Sequence, residues 1–423
     1  MSKKPEIKTA FQSGSRAGEH YVWLTSMGLS LGLVLVVGLL LLILWEGITV
    51  FWPRTVVQYQ LTDANAGIQG TTTVAGEVVD HRVKLNHVEG EKLQEEYQLY
   101  VGNKDHYGFN FKFLDAAVIK EATTPQDIFI AERVENGKLL GYPVELVMKD
   151  GTKIPVTAPE FAAKLNELVH AGNERRAKIL TLEKYRIGAI NEDMEELRIE
   201  EKIIRNNPQL TDAQEAERLA PLHTQEEKLK KDYDTLYTES QTLRNAQVGT
   251  DLIVRLPGGE VVKQSVGGLL EYYYPNQLSF FGRVGMFLHR MWTFVSDDPR
   301  EANTEGGIFP AIFGTFVMTV LMSIAVTPFG VIAAVYLREY AKQGLLVQIV
   351  RICVNNLAGV PSIVYGVFGL GFFVYFIGGQ IDQLFFSASL PSPTFGTGGI
   401  MWSALTLSLL TLPVVIVATE EAL

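Results

Sequence analysis

Residues 22–44 run without a single charged side chain. At about 1.5 Å per residue, a helix of that length covers roughly 30 Å, the thickness of the hydrocarbon core of a bilayer. Lipid offers no partner to backbone N–H and C=O groups, so such a run folds as a membrane-spanning helix. It is too long for a signal peptide, no small-x-small cleavage site follows it, and Trp45, Glu46 and Trp52 come next. It therefore reads as an uncleaved anchor with tryptophans at the interface. Three further apolar stretches, residues 308–337, 345–377 and 398–418, make the chain a multi-span α-helical membrane protein. The first two of these exceed the minimum length, which permits tilt or interrupted helices.

Charge orients the spans. Before the first lie Lys3, Lys4, Lys8 and Arg16 against Glu6 and Glu19, which places the N-terminal tip (1–21) in the cytoplasm. The short basic loop with Arg338, Lys342 and Arg351 against Glu339 is cytoplasmic by the same rule, in agreement with the parity set by the first span. The loop 378–397 carries Asp382 and no Lys or Arg, which fits the outside, and Glu420 and Glu421 return to the cytoplasmic side. The expected location is a membrane, with lipid as the surrounding partner.

Most of the charge lies between the first anchor (22–46) and the later spans. Residues 53–307 hold most of the net charge of −10, which argues against nucleic acid as a partner. Cys353 is the only cysteine, so no intramolecular disulfide forms. The seven histidines are scattered, and His81 and His87 form no recognised metal spacing. No metal or cofactor is expected.

Two stretches of this middle region resemble each other. Val144 begins a strand, a Lys149-Asp150-Gly151-Thr152 turn and a returning strand, followed by a helix near Ala158. Ile253 begins a strand, a Pro257-Gly258-Gly259 turn and a returning strand, followed by residues 267–273, which read as a short helix. Asp-Gly and Gly-Gly between alternating strands are hairpin signals. One small α+β domain is expected, with a weak internal duplication. Residues 160–247 are rich in Glu, Lys, Leu, Ala and Gln. Ile179, Leu182, Ile187, Ile190, Met194, Leu197, Ile199 and Ile203 form one apolar stripe; Leu219, Leu222, Leu229, Tyr233, Leu236 and Leu243 form a second. Asn206-Asn207-Pro208 interrupts them, and Thr211-x-x-Gln214 reads as a capping box. This predicts an antiparallel coiled-coil hairpin, serving as a spacer or as a docking arm. Residues 280–295, apolar and aromatic but carrying Arg283, His289 and Arg290, predict an amphipathic helix on the membrane face.

No Walker phosphate loop, GxSxG, HExxH or paired-Cys motif is present, so no catalytic residue is assigned and the chain is not expected to be an enzyme. Gly369-Leu370-Gly371 is read as helix packing rather than as a nucleotide loop. The polar residues of the third span point to transport. Arg351, Asn355, Asn356, Pro361, Ser362 and Tyr365 sit in an otherwise apolar run. Polar side chains are costly in lipid, and proline frees a carbonyl one turn back. Such groups line a pathway, or they pack between helices with Gly359, Ser362 and Gly366 at the contact. Both readings remain open here. Thr327-Pro328 and Leu412-Pro413 offer similar kinks.

The segment 306–423 resembles the PstA-type permease subunits of bacterial phosphate ABC importers. The resemblance rests on Gly306-Gly-Ile-Phe-Pro-Ala-Ile-Phe-Gly-Thr, Ala333-Ala-Val-Tyr-Leu-Arg-Glu-Tyr, Asn356-Leu-Ala-Gly-Val-Pro-Ser-Ile-Val-Tyr-Gly and Leu412-Pro-Val-Val-Ile-Val-Ala-Thr-Glu-Glu-Ala-Leu. The part before it looks like the extended N-terminal region of some long PstA-type proteins. The resemblance implies a type I importer permease core at 308–423, with an inserted periplasmic domain. It implies pairing with a PstC-type permease, a dimeric ABC ATPase below and a periplasmic phosphate-binding protein above. It also implies that Glu420, Glu421 and Ala422 open the cytoplasmic loop that inserts into the ATPase. The distal Gly of that loop and the remaining spans are absent, so an incomplete chain is expected. Alternatives are a permease for another oxyanion such as sulfate or molybdate, and a membrane-anchored periplasmic sensor or scaffold whose coiled coil binds a partner.

Overall fold

The computed structural model describes residues 19–83 and 95–423. The basic tip with Lys3, Lys4, Lys8 and Arg16, and also His87, lie outside the described residues. In chain order, helix α1 (Glu19–Phe51) leads to β1 (Val56–Leu61), β2 (Thr73–Val83), β3 (Glu95–Tyr100), the single turn α2 (Lys104–Tyr107), β4 (Phe111–Asp115) and β5 (Ile119–Thr123). Then come β6 (Phe129–Arg133), β7 (Lys138–Val147) and β8 (Lys153–Pro155), followed by helices α3 (Phe161–Leu180), α4 (Gly188–Arg205) and α5 (Asp212–Gln247). Strands β9 (Asp251–Arg255), β10 (Val261–Ser265) and β11 (Leu269–Tyr273) precede α6 (Phe280–Ser296) and the short pair β12 (Pro299–Arg300) and β13 (Glu305–Gly306). The chain continues through α7 (Phe309–Val335), α8 (Leu345–Ala358), α9 (Ser362–Phe368), α10 (Gly379–Phe385) and α11 (Ile400–Ala422).

The chain divides into two compact bodies, 1–54 with 278–292, and 55–277 with 293–423. In the first, the apolar stretch Val22–Phe51 is a single helix whose side chains are almost all exposed, as a lipid-facing span requires. Trp52 packs against Phe280 and Phe287 of α6 at 6.2 and 5.9 Å between ring centroids. Arg283 donates to the Pro53 carbonyl at 3.3 Å.

The second body holds two sheets with one plan. Strand order is β4-β3-β2-β1-β5 in the first and β10-β9-β7-β6-β11 in the second, with β8 added on β7. In each, four antiparallel strands follow in turn, a 3₁₀ turn (Ala116–Val118 or Val266–Gly268) intervenes, and the last strand returns to pair with the first. Even the irregularities recur. Register shifts interrupt β1–β5 and β6–β11, and again β2–β3 and β7–β9. The duplication is therefore sheet to sheet. The two hairpins that resemble each other in sequence, at 144–154 and 253–262, are neighbours in one sheet through the β7–β9 pairing. Residues 269–273, read above as part of a short helix, form the strand β11. Its neighbour β6 (Phe-Ile-Ala-Glu-Arg) supplies the ladder that outweighs the local Gly-Leu-Leu-Glu signal.

Each sheet encloses its own core. Tyr59, Val74, Leu99, Val101 and Leu114 fill the first. Phe129, Leu139, Leu146, Leu252 and Val254 fill the second, where Phe161 and Leu165 of α3 cover the open face. Each such side chain, fully buried, contributes about 1.5–3 kcal/mol. Asn103 joins the sheets. It is fully buried with left-handed φ of 54°, and its amide exchanges two 2.9 Å hydrogen bonds with the backbone of Leu140. Asn276 performs the same office for β1, accepting from Val56 N–H at 2.9 Å and donating to Val56 and Pro125 carbonyls at 2.8 and 2.7 Å.

Helix α3 runs through a wider π-helical stretch, Thr181–Ile187, into α4. α5 returns along it. Leu182, Ile187 and Ile190 meet Leu236 with Leu229 and Tyr233, and farther out Ile204 meets Leu219 and Leu222, so the helices are antiparallel. At the base of this arm Glu183 receives Arg244 through two hydrogen bonds of 2.9 and 2.6 Å. Near its far end, Lys202 Nζ donates to the Leu390 carbonyl at 2.6 Å.

Long apolar helices cover Val22–Phe51, Phe309–Tyr340, Ser362–Phe385 and Ile400–Ala422, four lengths sufficient to cross a bilayer. α7 and α11 pack along each other at very short range. A Cβ on Gly330 would meet Val415 Cγ1 at 2.5 Å, and Ser408 Oγ donates to the Met322 carbonyl at 3.1 Å. The stretch 345–377, read in sequence as one span, is two pieces. α8 ends at Ala358, and a new rod starts after Pro361, whose φ of −56° and ψ of 137° place it outside the helix. Proline lacks the N–H and biases the preceding residue away from helix, so the break falls there.

Candidate functional site

The break divides the polar residues of the third apolar stretch. Arg351, Asn355 and Asn356 belong to α8, whereas Ser362 and Tyr365 belong to α9. They therefore do not share one helix face. Asn356, Pro361 and Ser362 are exposed on this chain. Tyr365 is buried, and its hydroxyl donates to the Leu357 carbonyl at 2.8 Å. That carbonyl lies in the last turn of α8, where it also accepts from the Val360 N–H at 3.2 Å. Tyr365 thus ties α9 back to the end of α8.

Arg351 and Asn355 instead meet the end of α11. A cavity of about 470 Å³ is lined by Leu337, Arg338, Arg351, Asn355, Glu420 and Glu421, among others. Three elements build it. α7 passes through a π-helical turn, Tyr336–Tyr340, that brings up Arg338. α8 presents Arg351 and Asn355 at a spacing of four, on one face. α11 ends with Glu420 and Glu421. A shared apolar floor of Ala334, Leu337, Val347 and Ile416 holds the three together.

Arg351 Nε lies 3.4 Å from Glu420 Oε1. Neither atom has a hydrogen-bond partner, so charge rather than an aligned bond holds the pair. Arg338 donates to the main-chain carbonyl of Glu420. Two arginines and two glutamates thus converge where α7 and α11 end, beside the middle of α8. Such a cluster ties the end of α11 to α7 and α8. Ala422 closes α11 one residue beyond.

At the opposite end of the rod, Asp382 is helical and buried, in α10 rather than in a loop. Its carboxylate accepts from the N–H groups of Phe395 and Gly396 at 2.8 and 2.7 Å. Trp402 Nε1 donates to the Phe395 carbonyl at 2.8 Å. The loop 386–399 is therefore pinned to the helices on both sides of it. From the sequence alone Asp382 reads only as a loop charge. A single acid in an apolar stretch followed by a Gly- and Pro-rich loop was the signal for this role. Among the described residues, no group of three His, Cys, Asp or Glu side chains is placed to hold a metal ion.

No family model matches the chain, and no solved structure matches it. Known proteins do. The phosphate transport system permease protein PstA of Mycobacterium leprae (strain TN) is 37% identical over 132 residues, which are 31% of this chain and 38% of that protein. The probable ABC transporter permease protein YqgI of Bacillus subtilis (strain 168) is 30% identical over 130 residues, 31% of this chain and 38% of that protein. The phosphate transport system permease protein PstA of Xylella fastidiosa (strain 9a5c) is 30% identical over 133 residues, covering 31% and 39%. The chain thus spans a little under two fifths of the length of these relatives. Four membrane-length helices and a segment similar to these permeases together describe a multi-pass helical membrane protein of PstA-type resemblance.

Proposed function

We propose that this chain acts as a permease subunit of an ATP-driven ABC importer carrying inorganic phosphate across the bacterial inner membrane by alternating access. The observation that carries the reading is the convergence of Arg338, Arg351, Asn355, Glu420 and Glu421 on one cavity, at the ends of α7 and α11 and against α8. In this reading Glu420, Glu421 and Ala422 begin the segment that meets a dimeric ATPase. Arg351 and Arg338 hold its root, so movement of the ATPase is passed to α7 and α8. A PstC-type subunit completes the passage, and a periplasmic binding protein delivers phosphate. Asn355, Asn356 and Ser362 offer neutral donors toward the partner subunit, and Tyr365 keeps the break between α8 and α9 in shape.

The arm and the two sheets form a periplasmic domain in this reading, with the arm as a coiled-coil brace. Support comes from the bond between Lys202 and Leu390, since the loop holding Leu390 lacks basic residues and suits the outer side. The test is uptake of labelled phosphate, with sulfate and molybdate in parallel, and phosphate-dependent ATP hydrolysis by the full-length protein reconstituted with its co-purifying partners. Exchange of the charged pair (R351E with E420R) should restore coupling that each single change abolishes. The reading is overturned if no ATPase co-purifies, or if R351E and E420R leave uptake and hydrolysis unchanged.

A further inference from the structure

A second cavity, of about 710 Å³, lies in the other half of the same body, between the second sheet, the base of the arm and β12. Arg133, Arg176, Arg244 and Arg300 all line it. Two of these are satisfied. Arg133 grips Asp105 through bonds of 2.8 and 2.9 Å, and Arg244 grips Glu183. The other two are not neutralised. Arg176 donates only to neutral oxygens, Asn173 Oδ1 at 2.6 Å and the Gly267 carbonyl at 2.7 Å. Arg300 has a buried Nε without a hydrogen-bond partner, and among the described residues it forms no ion pair.

The acids nearby do not fill the deficit. Asp298 pairs with Lys184 at 3.3 Å, and Glu135 is exposed at the rim. Glu305 feels the charge of Arg300, but burial first and Glu132 second hold its carboxyl above the ordinary range. Burial first and the neighbouring charge of Arg300 second hold the Arg176 guanidinium below its ordinary pKa. Two guanidinium groups that bond no carboxylate therefore line one partly enclosed space, where Glu183 is taken by Arg244 and Asp298 by Lys184. A guanidinium offers paired N–H donors whose geometry matches two oxygens of a phosphate.

We propose that this cavity binds a phosphate-type oxyanion between Arg176 and Arg300. The ligand supplies the negative charge that the two side chains lack and ties three parts of the chain together. Arg176 belongs to the base of the arm, Gly267 leads into β11, and Arg300 lies in β12, which opens the short segment before α7. Occupancy of the site thus sets how firmly the start of α7 is held to the sheets. The existence of the site is independent of the transport reading; free orthophosphate as its natural occupant rests on that reading.

The experiment uses the full chain, delipidated in detergent. Binding of labelled orthophosphate is measured by equilibrium dialysis, and thermal stability is followed with orthophosphate or with bicelles containing phosphatidic acid. Saturable binding of orthophosphate, weakened about tenfold or more by R176Q and by R300Q, supports the proposal with the free ion as ligand. Stabilisation by phosphatidic acid alone, lost in the same variants, supports it with a lipid headgroup as the source. R300K keeps the charge but not the paired donors, so it guards against a folding defect and should bind with intermediate affinity. Absence of both effects, or binding unchanged in R176Q and R300Q, overturns it. Transport is read separately: intact phosphate uptake without binding at this cavity removes the site and leaves the permease standing.

Discussion

Lys202, near the far end of the helical arm, and Leu390, in the loop between the last two long apolar helices, are joined by a 2.6 Å hydrogen bond. The two residues must therefore lie on the same side of the membrane, whichever side that is. With Cys353 replaced by serine, single cysteines at the exposed positions Lys230 and Ser392 should react with an impermeant maleimide from the same side, the periplasm. Labelling from opposite sides would separate the arm from the loop and remove its role as a brace.

Arg133 and Asp105 should give the protein an acid-sensitive element. Burial alone would raise the Asp105 carboxyl, but the hydrogen bonds and charge of Arg133, helped by His106, bring it below its ordinary value of 3.8. The folded state thus binds this proton less readily than the unfolded state. The stabilisation is fully present above pH 3.8 and fades as the pH falls through the lower, folded value. D105N should flatten that acid limb in thermal melts. R133M should cost about 3 kcal/mol, because it also removes bonds to Gly137, Asn136 and Gln264.

The contact between α7 and α11 depends on a missing side chain. A Cβ at Gly330 would stand 2.5 Å from Val415 Cγ1 and 2.9 Å from its Cβ. G330A should destabilise the helical body by about 1–3 kcal/mol through overpacking. Gly366 has open space around its would-be Cβ, so G366A should be neutral, or stabilising by up to about 1 kcal/mol. Thermal unfolding in detergent distinguishes the two. Equal effects would mean that the close approach at Gly330 is not what holds these helices.

Between β12 and β13, Glu301, Ala302 and Asn303 all adopt left-handed backbone, with φ of 44°, 53° and 68°. Each such non-glycine residue costs about 1–2 kcal/mol. A302G should therefore raise stability by about 1 kcal/mol in a thermal melt. A loss of stability on this change would show that the turn is not strained at Ala302.

Spans and hairpin turns were legible because their signals are local. The charge-free run from Val22 and the Asp150-Gly151 turn declare themselves within a few residues. The break in the third apolar stretch was written in Pro361, but hydropathy stays high across it, so α8 and the following rod read as one. The sheet duplication was harder. It is carried by pairing and by sparse matches, such as Glu121 with Glu271 and Pro125 with Pro275 at equal spacing, while the strands between them share little. At the site, the resemblance supplied Glu420 and Glu421. Their meeting with Arg351 is a tertiary fact that no spacing along the chain encodes. The role of Tyr365 was obscured for the same reason, since its partner Leu357 lies across the break.

The arm leaves the second sheet after β8 and returns at β9, where the matching place in the first sheet is the connection between β2 and β3. Its two roots lie side by side, with Gln247 Nε2 donating to the Gly172 carbonyl at 3.3 Å and Arg175 Nε donating to Gln247 Oε1 at 3.1 Å. An insertion whose ends meet behaves as a cassette. Its length can grow or shrink by whole helical turns without altering the register of any strand beneath it. The reach of this projection is thus free to evolve, or to be engineered, apart from the platform that carries it.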